Sequence, residues 1–98
     1  MKFDVNFLDE AYKEFNNLSE EQKGLLKEDY MTIKNDSIER VITRSLGNKI
    51  FEIKTSNIRS LYKYQENQII IIGVIYIKKT QKAPKEILKL AQKRLKNY

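Results

Sequence analysis

The chain has 98 residues, a third of them charged, with a net charge of +6, no cysteine and no histidine. Residues 1–98 read as one domain, long enough to bury roughly two-thirds of its unfolded surface without staples. The missing cysteine excludes disulfides and thiolate metal sites and makes a reducing cytoplasm the default, and the missing histidine removes the usual neutral-pH acid–base group.

The charge is unevenly placed. Residues 1–36 hold five lysines against nine acids, or −4, whereas residues 37–98 hold fourteen Lys/Arg against four acids, or +10. A dipolar chain of this kind is steered toward a polyanion. No cationic-then-apolar leader opens the chain, so secretion is not expected.

Lys2–Asn6 alternates, with Phe3 and Val5 on one side, and predicts a short strand. Phe7, Leu8, Ala11, Tyr12 and Phe15 recur at helical spacing, with Asp9 as a possible cap and Asn16-Asn17 as the break. Ser19-Glu20-Glu21-Gln22 has the form of a capping box and opens a second helix to about Lys34, burying Leu25, Leu26, Tyr30 and Ile33. The two make an antiparallel helical hairpin.

Gly47-Asn48 is a turn signal, followed by the alternating strand Ile50–Lys54, a turn at Thr55-Ser56-Asn57 and a second strand Ile58–Tyr64. Tyr62 and Tyr64 share one side of it and read as half-buried packing residues. After a turn at Gln65–Gln68 comes Ile69–Ile77, seven of whose nine residues are β-branched. It is too short to cross a bilayer and reads as an interior strand buried on both faces. That stiff strand delivers Lys78, Lys79 and Lys82 to a fixed edge, which suits a phosphate-bearing partner. Pro84 fits the first turn of a last helix that buries Ile87, Leu88, Ala91 and Leu95 and leaves Lys85, Lys89, Lys93 and Lys96 in solvent. The order β-α-α-β-β-β-α predicts an α+β fold with helices on one face of a twisted antiparallel sheet.

Phe51-Glu52-Ile53-Lys54, then Arg59, Tyr62, the run Lys78-Lys79-Thr80-Gln81-Lys82-Ala83-Pro84 and Ala91 follow one another in a set order. This order resembles the RelE/ParE superfamily of type II toxins, and within it the HigB-like, phage-derived branch. The resemblance covers essentially the whole chain, and the run from Lys78 to Pro84 is its most specific piece. It implies a toxin encoded beside a helix-turn-helix, HigA-like antitoxin, acting on messenger RNA in the bacterial ribosome as a metal-independent endoribonuclease without a cofactor. It also implies a functional cleft on the exposed sheet face, which maps to Lys54, Arg59, Lys78, Lys79 and Lys82.

Cleavage at a 2′-hydroxyl needs a base for the hydroxyl proton, cations for the phosphorane and an acid for the departing 5′-oxygen. Lys54 is the candidate base, a role that requires clustered positive charge to lower a lysine toward neutral pH. Arg59 is the candidate phosphorane clamp through its planar fork, and Lys78 or Lys79 supplies further charge or the final proton. If alternation persists past Ile77, one of that pair points away. Lys82, Lys85, Lys89 and Lys93, with Tyr62 and Tyr64, are the candidate RNA and ribosome contacts.

Each assignment has a plainer counterpart. Lys54 can be an ordinary strand lysine, Arg59 the anchor of an ion pair, and Lys78 and Lys79 edge-blocking charges. Some relatives place a tyrosine or histidine after the last strand, and here that stretch has Thr80, Gln81, Ala83, Pro84 and Ile87 instead, so the proton donor stays open. Two other readings are a ParE-like inhibitor of DNA gyrase and an inactive toxin that keeps only antitoxin binding. The carboxylates show no metal-ligand spacing, and no membrane partner is expected.

Overall fold

The computed structural model describes residues 1–79 and 84–98. The elements in chain order are β1 (Asp4–Phe7), α1 (Asp9–Asn16), α2 (Glu20–Asn35), a 3-10 turn at Ile38–Arg40, β2 (Ile42–Gly47), β3 (Ile50–Thr55), β4 (Ile58–Gln65), β5 (Ile69–Ile77) and α3 (Lys85–Arg94). The α+β fold is the expected one. The sheet, however, has five strands in the order β1-β5-β4-β3-β2 and is mixed, because β1 runs parallel to β5 while the other pairs are antiparallel.

Local chemistry explains most of the element ends. At α2 the Ser19 hydroxyl accepts from the Gln22 amide at 3.1 Å and the Gln22 side chain accepts from the Ser19 amide at 2.9 Å, the predicted capping box. Helix α1 has no such device. Its N-cap is Leu8, and Asp9 lies in the first turn, where its charge meets the helix dipole instead of capping. Pro84 likewise stands at the N-cap of α3, one position before the first turn. At the β2–β3 hairpin Gly47, Asn48 and Lys49 all have positive φ, at 89°, 53° and 65°, which suits a turn built on glycine and asparagine.

The sheet sorts its side chains by strand alternation. On one face Ile53, Ile58, Tyr62, Ile70, Ile72 and Ile75 pack against Ala11, Phe15, Leu26, Tyr30 and Ile33 of the hairpin. The Tyr30 hydroxyl meets the Ser60 hydroxyl at 2.7 Å in this core, tying α2 to the middle of the sheet. On the other face Ile50, Leu61, Ile71 and Val74 pack against Ala91 and Leu95. Helix α3 therefore lies opposite the hairpin, and the expectation that all helices share one face is corrected. A β-bulge lies under α3. Leu61 pairs with Val74 and Tyr62 with Ile72, so Gly73 is an extra residue on β5. A Cβ there would stand 2.7 Å from Leu95 Cγ, so glycine is what lets α3 dock this closely.

Strand β5 is buried from Ile70 to Ile75 and lies between β1 and β4, as an apolar β-branched run should. Beyond the end of β1 its edge is covered by side chains from both helical layers. Glu14 of α1 accepts the Ile75 amide at 3.0 Å, and Arg94 of α3 donates to Glu14 at 2.9 Å and to the Gly73 carbonyl at 2.9 Å.

Candidate active site on the open half of the sheet

Helix α3 covers only the part of its face around Leu61, Ile71 and Val74. The remaining part, toward β2, stays open as a cavity of about 260 Å³ lined by Ile42, Thr43, Arg44, Glu52, Lys54, Arg59 and Lys78. Register puts these residues together. Arg44 stands opposite Glu52 and Ile42 opposite Lys54 on β2 and β3; Lys54 stands opposite Arg59, and Arg59 opposite Tyr76, on β3, β4 and β5. Four cations thus line one cavity with a single carboxylate.

The carboxylate is deep. Glu52 is 4% exposed, with Oε1 at 3.5 Å from Arg44 Nη2 and 3.9 Å from Arg59 Nε. The Arg59 side chain is 9% exposed, and its Nη1 donates to the Ser56 carbonyl at 2.7 Å and the Ile58 carbonyl at 3.1 Å. Arg59 therefore faces inward, holding the β3–β4 turn to the floor of the cavity. Lys54 is exposed on the same side as Glu52, as expected from their spacing. Lys78 donates its backbone amide to the Asn57 carbonyl at 2.7 Å, which continues the β4–β5 ladder past Ile77 and aims its side chain into the cavity. Lys79, next in the chain, is exposed and does not line it.

Two members of the cluster are absent from the sequence reading. Arg44 belongs to β2, which shows no buried alternation because nearly all its residues are exposed, so no strand was expected there. Tyr76 lies inside the apolar run and reads as core. Its phenol is enclosed without a hydrogen-bond partner among the described residues, as are Glu52 Oε2 and Arg59 Nε. Burial raises the Tyr76 phenol above its ordinary pKa and the Glu52 charge pushes the same way, while Arg59 and Arg44 oppose them. The phenol therefore keeps its proton at neutral pH. Against the turn residues, only a basic residue with β-branched neighbours at residues 41–43 could have hinted at Arg44.

The tyrosine assignments need correction. Tyr62 is fully buried on the hairpin face and its hydroxyl lies 3.1 Å from that of Tyr64, so it reaches no RNA. Tyr64 is partly exposed but its ring meets Phe3 at a tilt and Phe51 edge-on, on that same face and away from the cations. Tyr12, expected in the core, is 54% exposed beside Phe7 and Phe15 at the mouth of a larger hollow between α1 and α2. Lys85, Lys89 and Lys93 are exposed along α3 and do not line the cavity. Lys82 lies outside the described residues. Among the described residues no helix is long and apolar enough to cross a membrane.

A hairpin of helices on one sheet face, a C-terminal helix on part of the other, and a cationic cleft beside it define a RelE-type fold. The sequence matches the phage-derived protein Gp49-like family over residues 13–96, and the chain belongs to that family. The resemblance to a phage-derived family is thereby borne out, and the expected RelE-like fold is borne out by the solved structures it resembles. Among solved structures, a mutant of the E. coli toxin RelE in the free state superposes with a TM-score of 0.68 at 21% identity, covering 97% of this chain and 99% of that one. The toxin–antitoxin complex RelBE2 from Mycobacterium tuberculosis gives 0.66 at 16% identity over 80% of this chain and 100% of that one. The archaeal RelE–RelB complex from Pyrococcus horikoshii gives 0.63 at 14% identity, over 81% and 98%. At these identities the likeness is one of fold. No curated protein matches the chain.

Proposed function

We propose that this protein is the toxin of a type II toxin–antitoxin pair and that it cuts messenger RNA on the ribosome. The observation that carries the reading is the convergence of Arg44, Lys54, Arg59 and Lys78 on one open cavity around a buried glutamate. A cluster of that composition suits a phosphodiester, whose charge rises as the phosphorane forms.

In this reading Lys54, exposed at the cavity, takes the 2′-hydroxyl proton in its neutral amine form and becomes the ammonium. Lys78, held by the β4–β5 ladder, adds charge beside the phosphate and returns a proton to the departing 5′-oxygen. Arg59 fixes the floor. The cleft is open and shallow, with nothing among the described residues to align a free RNA for in-line attack, so the ribosome supplies the positioning. The work is then cytoplasmic. The partner in the resting cell is a cognate helix-turn-helix, HigA-like antitoxin, whose acidic segment neutralises the basic face.

Primer extension on a reporter messenger RNA after brief induction tests this, with wild type beside Lys54→Ala. In-frame cuts that vanish with a translation inhibitor and with Lys54→Ala are expected. Growth arrest with intact messages would move the reading to gyrase inhibition. Neither arrest nor cutting would leave an inactive toxin that binds its antitoxin.

A further inference from the structure

The phosphorane clamp assigned from the sequence is Arg59, and the geometry points to a different residue. We propose that Arg44 is the guanidinium that meets the scissile phosphate, and that Glu52 is the residue that positions it. The inference rests on the nuclease reading and names a binding group within it.

An incoming phosphate needs donors it can reach. Arg59 offers few, because its side chain is 9% exposed and its Nη1 bonds two carbonyls of the β3–β4 turn. Turning it outward would strand those carbonyls and the buried carboxylate together. Arg44 is the reverse case. Its side chain is 57% exposed, it comes from the edge strand that walls the cavity, and it touches Glu52 only through Nη2 at 3.5 Å. The fork keeps donors for phosphate oxygens while the carboxylate beneath fixes where it points.

Glu52 can do this because it is buried and paired from two sides. It sits directly across the ladder from Arg44, and it is held from below by Arg59. A carboxylate so placed costs desolvation that both guanidiniums help to offset, and of the two only Arg44 is exposed enough to meet a phosphate as well. On this view Arg59, Glu52 and Arg44 form a stack from floor to mouth, and only the top member contacts substrate.

Two assays with purified protein test the proposal. In a translating extract, Arg44→Ala is expected to lower message cleavage about a hundredfold, the scale for removing one transition-state donor, while it stays folded by circular dichroism at the assay temperature. Arg44→Lys should recover only part, because an ammonium lacks the fork. The loss in Arg44→Ala combined with Glu52→Gln should not exceed that of Arg44→Ala alone if Glu52 acts through Arg44. In the second assay a 2′-O-methyl single-stranded RNA, which cannot be cut, is titrated at several salt concentrations. The slope of log affinity against log salt should fall by about 0.7 in Arg44→Ala, one phosphate contact's share. Wild-type cleavage by a folded Arg44→Ala would overturn the assignment and leave the nuclease reading intact. No cutting by the wild type would overturn the nuclease reading, and an unchanged salt slope would then overturn the contact as well.

Discussion

At the residue scale the functional face turns on which cations are free to act. Lys54 and Arg59 stand opposite each other on β3 and β4, yet one is exposed and the other is buried against Glu52 and two carbonyls. They should respond differently to truncation. Arg59→Ala leaves the Glu52 carboxylate buried with only the outer arginine and frees two turn carbonyls, which should cost about 3 kcal/mol. Lys54→Ala should stay within about 0.5 kcal/mol of wild type. Urea midpoints of the two variants check this, and equal midpoints would remove the structural role given to Arg59. Spacing could place both residues near a cleft. It could not say which one faces inward, because that depends on the turn carbonyls at Ser56 and Ile58 that capture the guanidinium.

At the element scale the sheet is shaped by one extra residue. The bulge at Gly73 shifts the phase of β5, so that Ile72 and Ile75 face the hairpin while Ile71 and Val74 face α3. It also brings Leu95 onto the glycine itself. Gly73→Ala would place its Cβ 2.7 Å from Leu95 Cγ, and overpacking of this kind should cost about 1–3 kcal/mol. A smaller loss in Gly73→Ala combined with Leu95→Ala than the sum of the single changes would show that this contact is the cause. Thermal denaturation of the four proteins measures it. The helices and the three strands of the meander were legible from periodicity, caps and turns, since each buries one side at its own repeat. Strand β2 was not, because an edge strand with almost no buried side carries no such repeat.

At the scale of the whole molecule, buried phenols tie the fold to alkaline pH. Burial, the largest cause in each case, raises Tyr30, Tyr62 and Tyr76 above the ordinary value of 10.0. The folded state therefore holds these protons more tightly than the unfolded chain. Their contribution is fully present below about pH 10 and is lost as pH rises beyond it, by up to about 1.4 kcal/mol per unit for each proton. Denaturant midpoints should be level to about pH 9 and fall steeply above about pH 10, and Tyr62→Phe should flatten that fall. A flat profile to about pH 11 would mean the phenols ionise without unfolding.

Local patterns in the chain were enough for the α+β class, the capping box of α2, the buried strand that ends in lysines, and the basic second half. Each follows from residues close together in sequence, where spacing alone decides which side is apolar. Tertiary structure decided the rest: the parallel pairing of β1 with β5, the docking of α3 opposite the hairpin, the inward turn of Arg59, and the meeting of Arg44 with Glu52. These depend on contacts between segments far apart in the chain, whose energies are set by register and by a single bulge. A cationic site assembled across four strands has no local repeat to announce it.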